Sequence, residues 1–215
     1  IEFHLEENVP IALADAVFDY HVIKKGNKKG VDFASVSVVP RVVIEDYISL
    51  FEKCGMTHVS FLIENQAITR SIIGMDDLDT YLVVNIGRTK TVLSIVSEQS
   101  VQFTSTVNIG GEDFATAIAK ENSISKEEAE KMIRDKGFSR TANNNDFFLS
   151  LINVASALRD EIQRVYMYRL SHVDKNGKDP NAPFKILLTG RDSSIIGFRE
   201  YMALSLKVPV DLANV

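Results

Sequence analysis

The sequence predicts an α/β protein with a mixed sheet, preceded by a small α+β unit, and three observations carry that prediction. From Thr80 onward, the runs Tyr81 to Ile86, Thr91 to Val96 and Val101 to Val107 follow one another with only short turns between them, the pattern of an antiparallel meander. Far downstream, Phe184-Lys185-Ile186-Leu187-Leu188 is a nearly unbroken apolar run aimed at Thr189-Gly190, the composition of a strand buried on both faces in a parallel pairing. Between these strands lie segments with helical periodicity, which supply the crossover that parallel pairing requires.

Taken in order, Ala16 to Ile23 alternates loosely as a strand, Lys24 to Gly30 is a Gly/Lys-rich turn, and Phe33 to Val39 is the return strand. Pro40 suits a helix start, and Val43, Ile44, Tyr47, Ile48, Leu50, Phe51 and Cys54 then recur at helical spacing until Gly55 stops the helix. A short strand is expected at His58 to Ile63 and a helix over Glu64 to Ile73. Gly87-Arg88-Thr89-Lys90 and Glu98-Gln99-Ser100 are the turns of the meander, and Gly110-Gly111 closes it and opens a helix through about Glu121. Ser125 with Glu128 three residues on is a capping box, starting a helix that ends at Gly137. After a polar loop from Ser139 to Asn145, a long helix carries Phe148, Leu151, Ile152, Ala155, Leu158, Ile162, Val165 and Tyr166 on one stripe. Asp174 to Pro183 is a loop, and Gly197 to Leu206 is a helix after the apolar strand.

Composition narrows the function. Of 215 residues, 24 are basic and 29 acidic, a balance of −5 too mild and too dispersed for nucleic-acid binding through counterion release. The four histidines, His4, His21, His58 and His172, lack metal-ligand spacing, and Met75-Asp76-Asp77 reads as a loop without further acidic ligands. The single cysteine, Cys54, cannot form an internal disulfide and is read as a small packed hydrophobe of a reducing compartment. Tyr166, Met167 and Tyr168 continue a helix and are read as packing groups. No run of 18 apolar residues and no signal-peptide pattern occurs. The chain opens at Ile1 without methionine and stops at Val215 after the strand-like Val208 to Leu212, so both ends are read as cut from something longer.

Several motifs together carry a family resemblance. Val84-Asn85-Ile86-Gly87-Arg88-Thr89-Lys90-Thr91 resembles the second phosphate-binding hairpin of the actin and sugar kinase superfamily. Asn108-Ile109-Gly110-Gly111-Glu112, followed by Ala129-Glu130, resembles the middle of the PilM and FtsA branch. Leu187-Leu188-Thr189-Gly190, followed by Gly197, resembles that branch's adenosine motif. Upstream, Asn8-Val9-Pro10, Phe18-Asp19-Tyr20 and Val39-Pro40 with Val43 resemble the small subdomain inserted in the PilM branch. The chain is thus similar over nearly its whole length to the PilM-like type IV pilus assembly proteins.

The resemblance implies an actin-like (ribonuclease H-like) fold with residues 1–60 as the inserted α+β subdomain and 61–79 as a connecting helix and loop. Residues 80–215 would form the second actin-like half, with its sheet from 80–118 and 184–215 and a helical insertion at 119–183. It implies a nucleotide site at Asn85, Gly87, Thr89, Lys90, Thr91, Gly110, Gly111, Glu112, Glu130, Gly190, Arg191 and Asp192, taking ATP with Mg²⁺ in the intact protein and not in this stretch, which lacks the family's first phosphate hairpin. Three departures weaken that site. Asn85 stands for an aspartate that would order the metal's water shell, and Ile133 stands for a lysine, with Arg134 beside it. Arg191 and Asp192 replace glycines, so that β-carbons crowd the approach and a carboxylate opposes phosphate. No catalytic residue is assigned.

Three functional readings follow from the resemblance. The first is a cytoplasmic scaffold at the inner face of the bacterial inner membrane, holding the short N-terminal peptide of a PilN-like bitopic protein in a groove framed by Phe33, Val36, Val38, Ile44 and Tyr47. It would touch the membrane only through that partner, and a homo-oligomer is compatible with it. The second is an ATP-binding switch or ATPase of the same fold. The third is an FtsA-like division protein, and a small-molecule kinase is more distant because no general base stands beside the hairpin.

Overall fold

The computed structural model describes residues 9, 11–24, 33–57, 60–139, 145–171 and 184–214, and for 21–24 and 33 the backbone only. The expected turn at Lys24 to Gly30, the polar loop after Ser139, the loop from Asp174 to Pro183, and His4, His58 and His172 fall wholly or mainly outside the described residues. The chain divides into two compact units, Ile1–Ala67 and Ile68–Val215.

In the first unit a 3-10 turn at Leu13–Asp15 leads into strand β1, Ala16–Lys24, which pairs antiparallel with β2, Phe33–Pro40. Pro40 ends the strand and caps helix α1, Arg41–Lys53, where its fixed φ and missing N–H cost nothing. The Arg41 guanidinium donates to the carbonyls of Ala14 and Ala16 at 3.3 and 3.0 Å, fastening the helix start to the start of β1. Ile44, Ile48 and Phe51 are half-buried, yet no residue of α1 is fully buried, because a two-stranded ribbon is too narrow to cover the helix.

Two expectations fail in this unit. Cys54 caps the helix from an exposed position, where the sequence pointed to a packed one. Helical periodicity places it in line with Val43, Tyr47 and Leu50, and that whole stripe is exposed. Residues 60–63 form no strand, and Phe61, Leu62 and Ile63 are exposed. An apolar run becomes a strand only where a partner edge takes up its backbone groups. Helix α2, Glu64–Ile72, follows directly, and the division between units falls inside it.

The second unit is a five-stranded sheet in the order β5-β4-β3-β6-β7, made of β3 (Thr80–Ile86), β4 (Thr91–Ser97), β5 (Ser100–Val107), β6 (Lys185–Thr189) and β7 (Val210–Leu212). The first three are the expected antiparallel meander, and β6 and β7 join it in parallel. The β4–β5 turn is the two-residue Glu98-Gln99, both in the left-handed region at φ 51° and 60°, the geometry that a two-residue hairpin demands.

Side chains of β3 alternate between two cores, as a period of two requires. Leu82, Val84 and Ile86 face the larger one, built with helices α3 (Gly111–Asn122), α4 (Lys126–Lys136), α5 (Asn145–Ser171) and α6 (Phe198–Leu206). Tyr81 and Val83 face a smaller cluster with Ile73, Val96, Ile68 and Ile72. The capping box of α4 forms as expected: Ser125 Oγ accepts from the Glu128 N–H, and Glu128 Oε2 accepts from the Ser125 N–H.

Along α5 the buried stripe is Phe147, Leu151, Ala155, Leu158, Ile162 and Val165. It therefore begins at Phe147 and not at Phe148, because spacings of four and three keep Phe147 in line with Leu151 while Phe148 turns half out. Tyr166 packs against Phe184 and Tyr168 stacks on Phe103, at ring separations of 5.0 and 4.9 Å, while Met167 points outward.

Candidate functional site

The sheet pairing itself brings the glycine-bearing corners together. Parallel pairing sets Asn85 beside Thr189, so β3 and β6 end side by side and release Gly87 and Gly190 at the same sheet edge, where open α/β sheets place ligands. Antiparallel pairing sets Val107, the last residue of β5, opposite Thr91, which begins β4, so the Gly110-Gly111 corner arrives there too. Hydrogen bonds close the junction. The Gly87 N–H donates to the Lys90 carbonyl at 3.0 Å, the Gly111 N–H to the Gly87 carbonyl at 3.0 Å and the Glu112 N–H to the Arg88 carbonyl at 2.8 Å.

Glycine is required here by close approach. A β-carbon on Gly110 would stand 2.5 Å from the Arg88 carbonyl oxygen and 2.7 Å from that of Gly87. Gly190 combines a φ of +89° with a would-be β-carbon 2.7 Å from Asn85 Oδ1 and closer still to the Ile86 carbonyl, so neither a side chain nor an ordinary backbone fits.

In front of these corners lies a cavity of about 250 Å³, floored by Phe114, Ile133 and Ile195 and rimmed by Arg88, Glu112, Glu130, Arg134, Arg191 and Asp192. The rim is laced with ion pairs. Glu130 Oε2 lies 3.5 Å from Arg191 and 3.8 Å from Arg134, and Glu112 lies 2.8 Å from Lys126 Nζ and 3.8 Å from Arg88. Lys126, through its hydrogen bond and its charge, holds the Glu112 carboxyl below its usual range. Asp192 behaves oppositely: burial, with Glu130 adding to it, raises its carboxyl above the usual value against the pull of Arg191 and Arg88.

Of the twelve residues that the resemblance assigned to nucleotide, Gly111, Glu112, Glu130, Arg191 and Asp192 line this cavity. Gly87, Gly110 and Gly190 form the corners behind it, and Asn85 lies against Gly190. Thr89 and Lys90 are exposed in the hairpin turn and outside the lining. Thr91 is fully buried, its hydroxyl donating to the Ile109 carbonyl at 2.7 Å, a bond that ties two corners together. Ile133 and Arg134, singled out in the sequence only as standing at the family's lysine, also line it; Arg88, Phe114, Ser194 and Ile195 complete the lining and were missed as site residues. Arg88 lies inside the quoted hairpin, and Phe114 is one helical turn beyond Gly111, so helical spacing could have found it.

The residues expected to frame a peptide groove lie in the first unit. Val36 and Val38 share one face of β2, with Val36 exposed and Val38 half-buried. Ile44 is half-buried and Tyr47 half exposed, its ring 6.4 Å from Phe51 and 6.3 Å from Phe61. The Phe33 side chain lies outside the described residues.

The sheet order, the crossover helices and the three converging corners define the actin-like class, and solved structures of that class match. A chain of a PilM–PilN type IV pilus biogenesis complex superposes with a TM-score of 0.75 at 16% identity, covering 99% of this chain and 60% of that one. MreB5 of Spiroplasma citri bound to ADP gives 0.64 at 17% identity, over 82% and 61% of the two chains. The ethanolamine utilization protein EutJ from Carboxydothermus hydrogenoformans gives 0.58 at 20%, over 77% and 55%. The chain thus spans about three-fifths of the length of these structural relatives. The profile of the type IV pilus assembly protein PilM family matches residues 1–215, and the chain belongs to that family. No curated protein matches it.

Proposed function

We propose that this chain is part of a cytoplasmic scaffold at the inner face of the inner membrane, which holds the short N-terminal segment of a PilN-like membrane protein and does not turn over ATP. Membership of the PilM family over the whole chain carries the reading. Likeness to a chain of a PilM–PilN complex supports the choice of partner. In the first unit, the exposed stripe of Val43, Tyr47 and Leu50 on α1 and the exposed Val36 on β2 offer apolar surface of the kind a short peptide needs. No helix among the described residues is long and apolar enough to cross a membrane.

The weakened nucleotide site is inferred from its donors and its charge. The N–H groups of Gly111 and Glu112, which at an open helix start would be available to an anion, are already taken by the Gly87 and Arg88 carbonyls. The rim sets three carboxylates against three guanidiniums, so it offers phosphates no net attraction. Asn85 brings no charge to a hydrated cation. A nucleotide-operated switch is the second reading, favoured by the cavity at the strand ends.

Calorimetry on the intact protein separates the two. The scaffold reading expects saturable binding of a synthetic peptide copying the cytoplasmic N-terminus of the PilN-like protein from the same pilus gene set, and no ATP hydrolysis above that of a variant reversing the charge of the exposed rim residue, Arg88→Glu. Peptide that fails to bind, with Mg·ATP bound and hydrolysed, overturns it in favour of the switch.

A further inference from the structure

Asp192 occupies the cavity in a particular way. Its carboxylate lies directly over the Cα of Gly111, so close that a β-carbon on Gly111 would overlap its Cγ and Oδ2. The side chain reaches across from the corner that follows β6 to the first residue of α3, spanning the cavity between two of its three corners. Gly111 is the one glycine among the described residues lining the cavity, so its backbone there carries no side chain, and this chain's own carboxylate covers it. The neighbouring Arg191 side chain is drawn the other way, to Glu130 on α4, and Arg134 reaches the same carboxylate oxygen of Glu130. One short turn, Arg191–Ser194, is therefore in contact with one side of the cavity through Asp192 and paired with the other through Arg191.

We propose that the cavity is occupied from within: Asp192 fills the place against Gly111 that a bound nucleotide would need, and the Arg191–Glu130–Arg134 bridge holds the turn in that closed position. The inference rests on the reading of this cavity as a weakened nucleotide site and names the residue that weakens it. Its physical basis is threefold. The Asp192 side chain is a steric occupant of the bare glycine wall. Its charge cancels one of the three guanidiniums, so removing it leaves the rim with three cations against Glu112 and Glu130. Its carboxyl is half-buried and raised above its usual value by that burial, as expected for a charge held away from water.

The experiment is titration of Mg·ATP into the intact protein and its Asp192→Gly and Asp192→Asn variants by calorimetry, with thermal melts to establish that each is folded. Asp192→Asn keeps the volume and removes the charge, whereas Asp192→Gly removes both. The expected order of affinity is Asp192→Gly, then Asp192→Asn, then wild type, with at least tenfold between the ends. A folded Asp192→Gly protein that binds Mg·ATP no better than wild type overturns the proposal. If both then bind weakly, the weakened-site reading survives without the plug, and if both bind tightly the two fall together. Peptide binding should be equal in all three proteins, so loss of the scaffold reading would show separately.

Discussion

The Gly111 N–H donates to the Gly87 carbonyl at 3.0 Å, and the Glu112 N–H beside it donates to the Arg88 carbonyl, so the first turn of α3 is pinned to the hairpin between β3 and β4. Helix starts leave several N–H groups without partners. Here the hairpin supplies carbonyls for two of them, and Asp113 Oδ2 accepts from the Gly110 N–H at 2.8 Å. The junction is rigid and inward-satisfied, which makes it a folding element before it is a ligand site.

Gly110→Ala should therefore damage stability. Its β-carbon would meet two backbone carbonyl oxygens at 2.5 and 2.7 Å, and neither can move without breaking the junction. A loss of about 2–3 kcal/mol is expected from overpacking of this kind. Urea denaturation would measure it, and an unchanged midpoint would show that the corner is more pliable than its geometry.

Thr91→Val keeps the shape of a fully buried side chain and removes the donor to the Ile109 carbonyl. Loss of about 1–3 kcal/mol is expected, since the carbonyl loses a buried partner. Thr91→Ser should recover much of it. Thermal melts of the pair decide the matter, and a Thr91→Val protein as stable as wild type, or a Thr91→Ser protein less stable than Thr91→Val, would show that the hydroxyl bond is not what the position depends on.

Ser125→Ala tests the capping box of α4, where side chain and backbone bonds between Ser125 and Glu128 run at 3.2 and 3.0 Å. The expected cost is about 1 kcal/mol. Because α4 carries Glu130, Ile133 and Arg134, the melt is best paired with hydrogen exchange of the α4 amides, which should quicken selectively.

Tyr81 donates its hydroxyl to Asp77 Oδ2 at 2.6 Å. That bond holds the Asp77 carboxyl below its usual value, and with burial pushes the Tyr81 phenol up to about 12. The signs follow from linkage. The Tyr81 contribution is complete below its ordinary value of 10.0 and fades as pH climbs toward about 12. The Asp77 contribution is complete above its ordinary 3.8 and fades as pH falls through the lower folded value. The alkaline dependence should vanish in Tyr81→Phe, and the acid one should shrink, because Asp77 Oδ1 still accepts from the Asp79 N–H at 2.9 Å. Subtracting its denaturation curves from those of wild type across acid and alkaline pH isolates them, and a flat difference would refute the coupling.

In the first unit, Tyr47→Ser should leave stability within about 0.5 kcal/mol of wild type, as expected for a half-exposed side chain. On the scaffold reading it should weaken binding of the PilN-like peptide at least several-fold. Unaltered affinity would move the groove elsewhere.

Much of this fold was legible in the residues because its signals are local. Period two in β3, the Ser125–Glu128 cap, the glycine ending α4 and the apolar run of β6 each depend on neighbours a few positions away. Expectations failed where the outcome depended on distant partners. Cys54 and the stripe of Val43, Tyr47 and Leu50 carry the periodicity of a buried face, but the two-stranded ribbon is too narrow to bury it. Phe61 to Ile63 has strand composition and pairs with no strand among the described residues.

For the site, the sequence by itself determined which positions must be glycine and which side chains would be charged. Chain order along Asn85 to Thr91, Gly110 to Glu112 and Gly190 to Asp192 could be read directly. Only the tertiary structure decided that Thr91 turns inward to Ile109, that Thr89 and Lys90 stay out of the cavity, and that Asp192 lies on Gly111. The reason is that a strand register fixes direction residue by residue, while the meeting of three corners is set by two pairings, an antiparallel one between neighbouring strands and a parallel one that joins segments about a hundred positions apart.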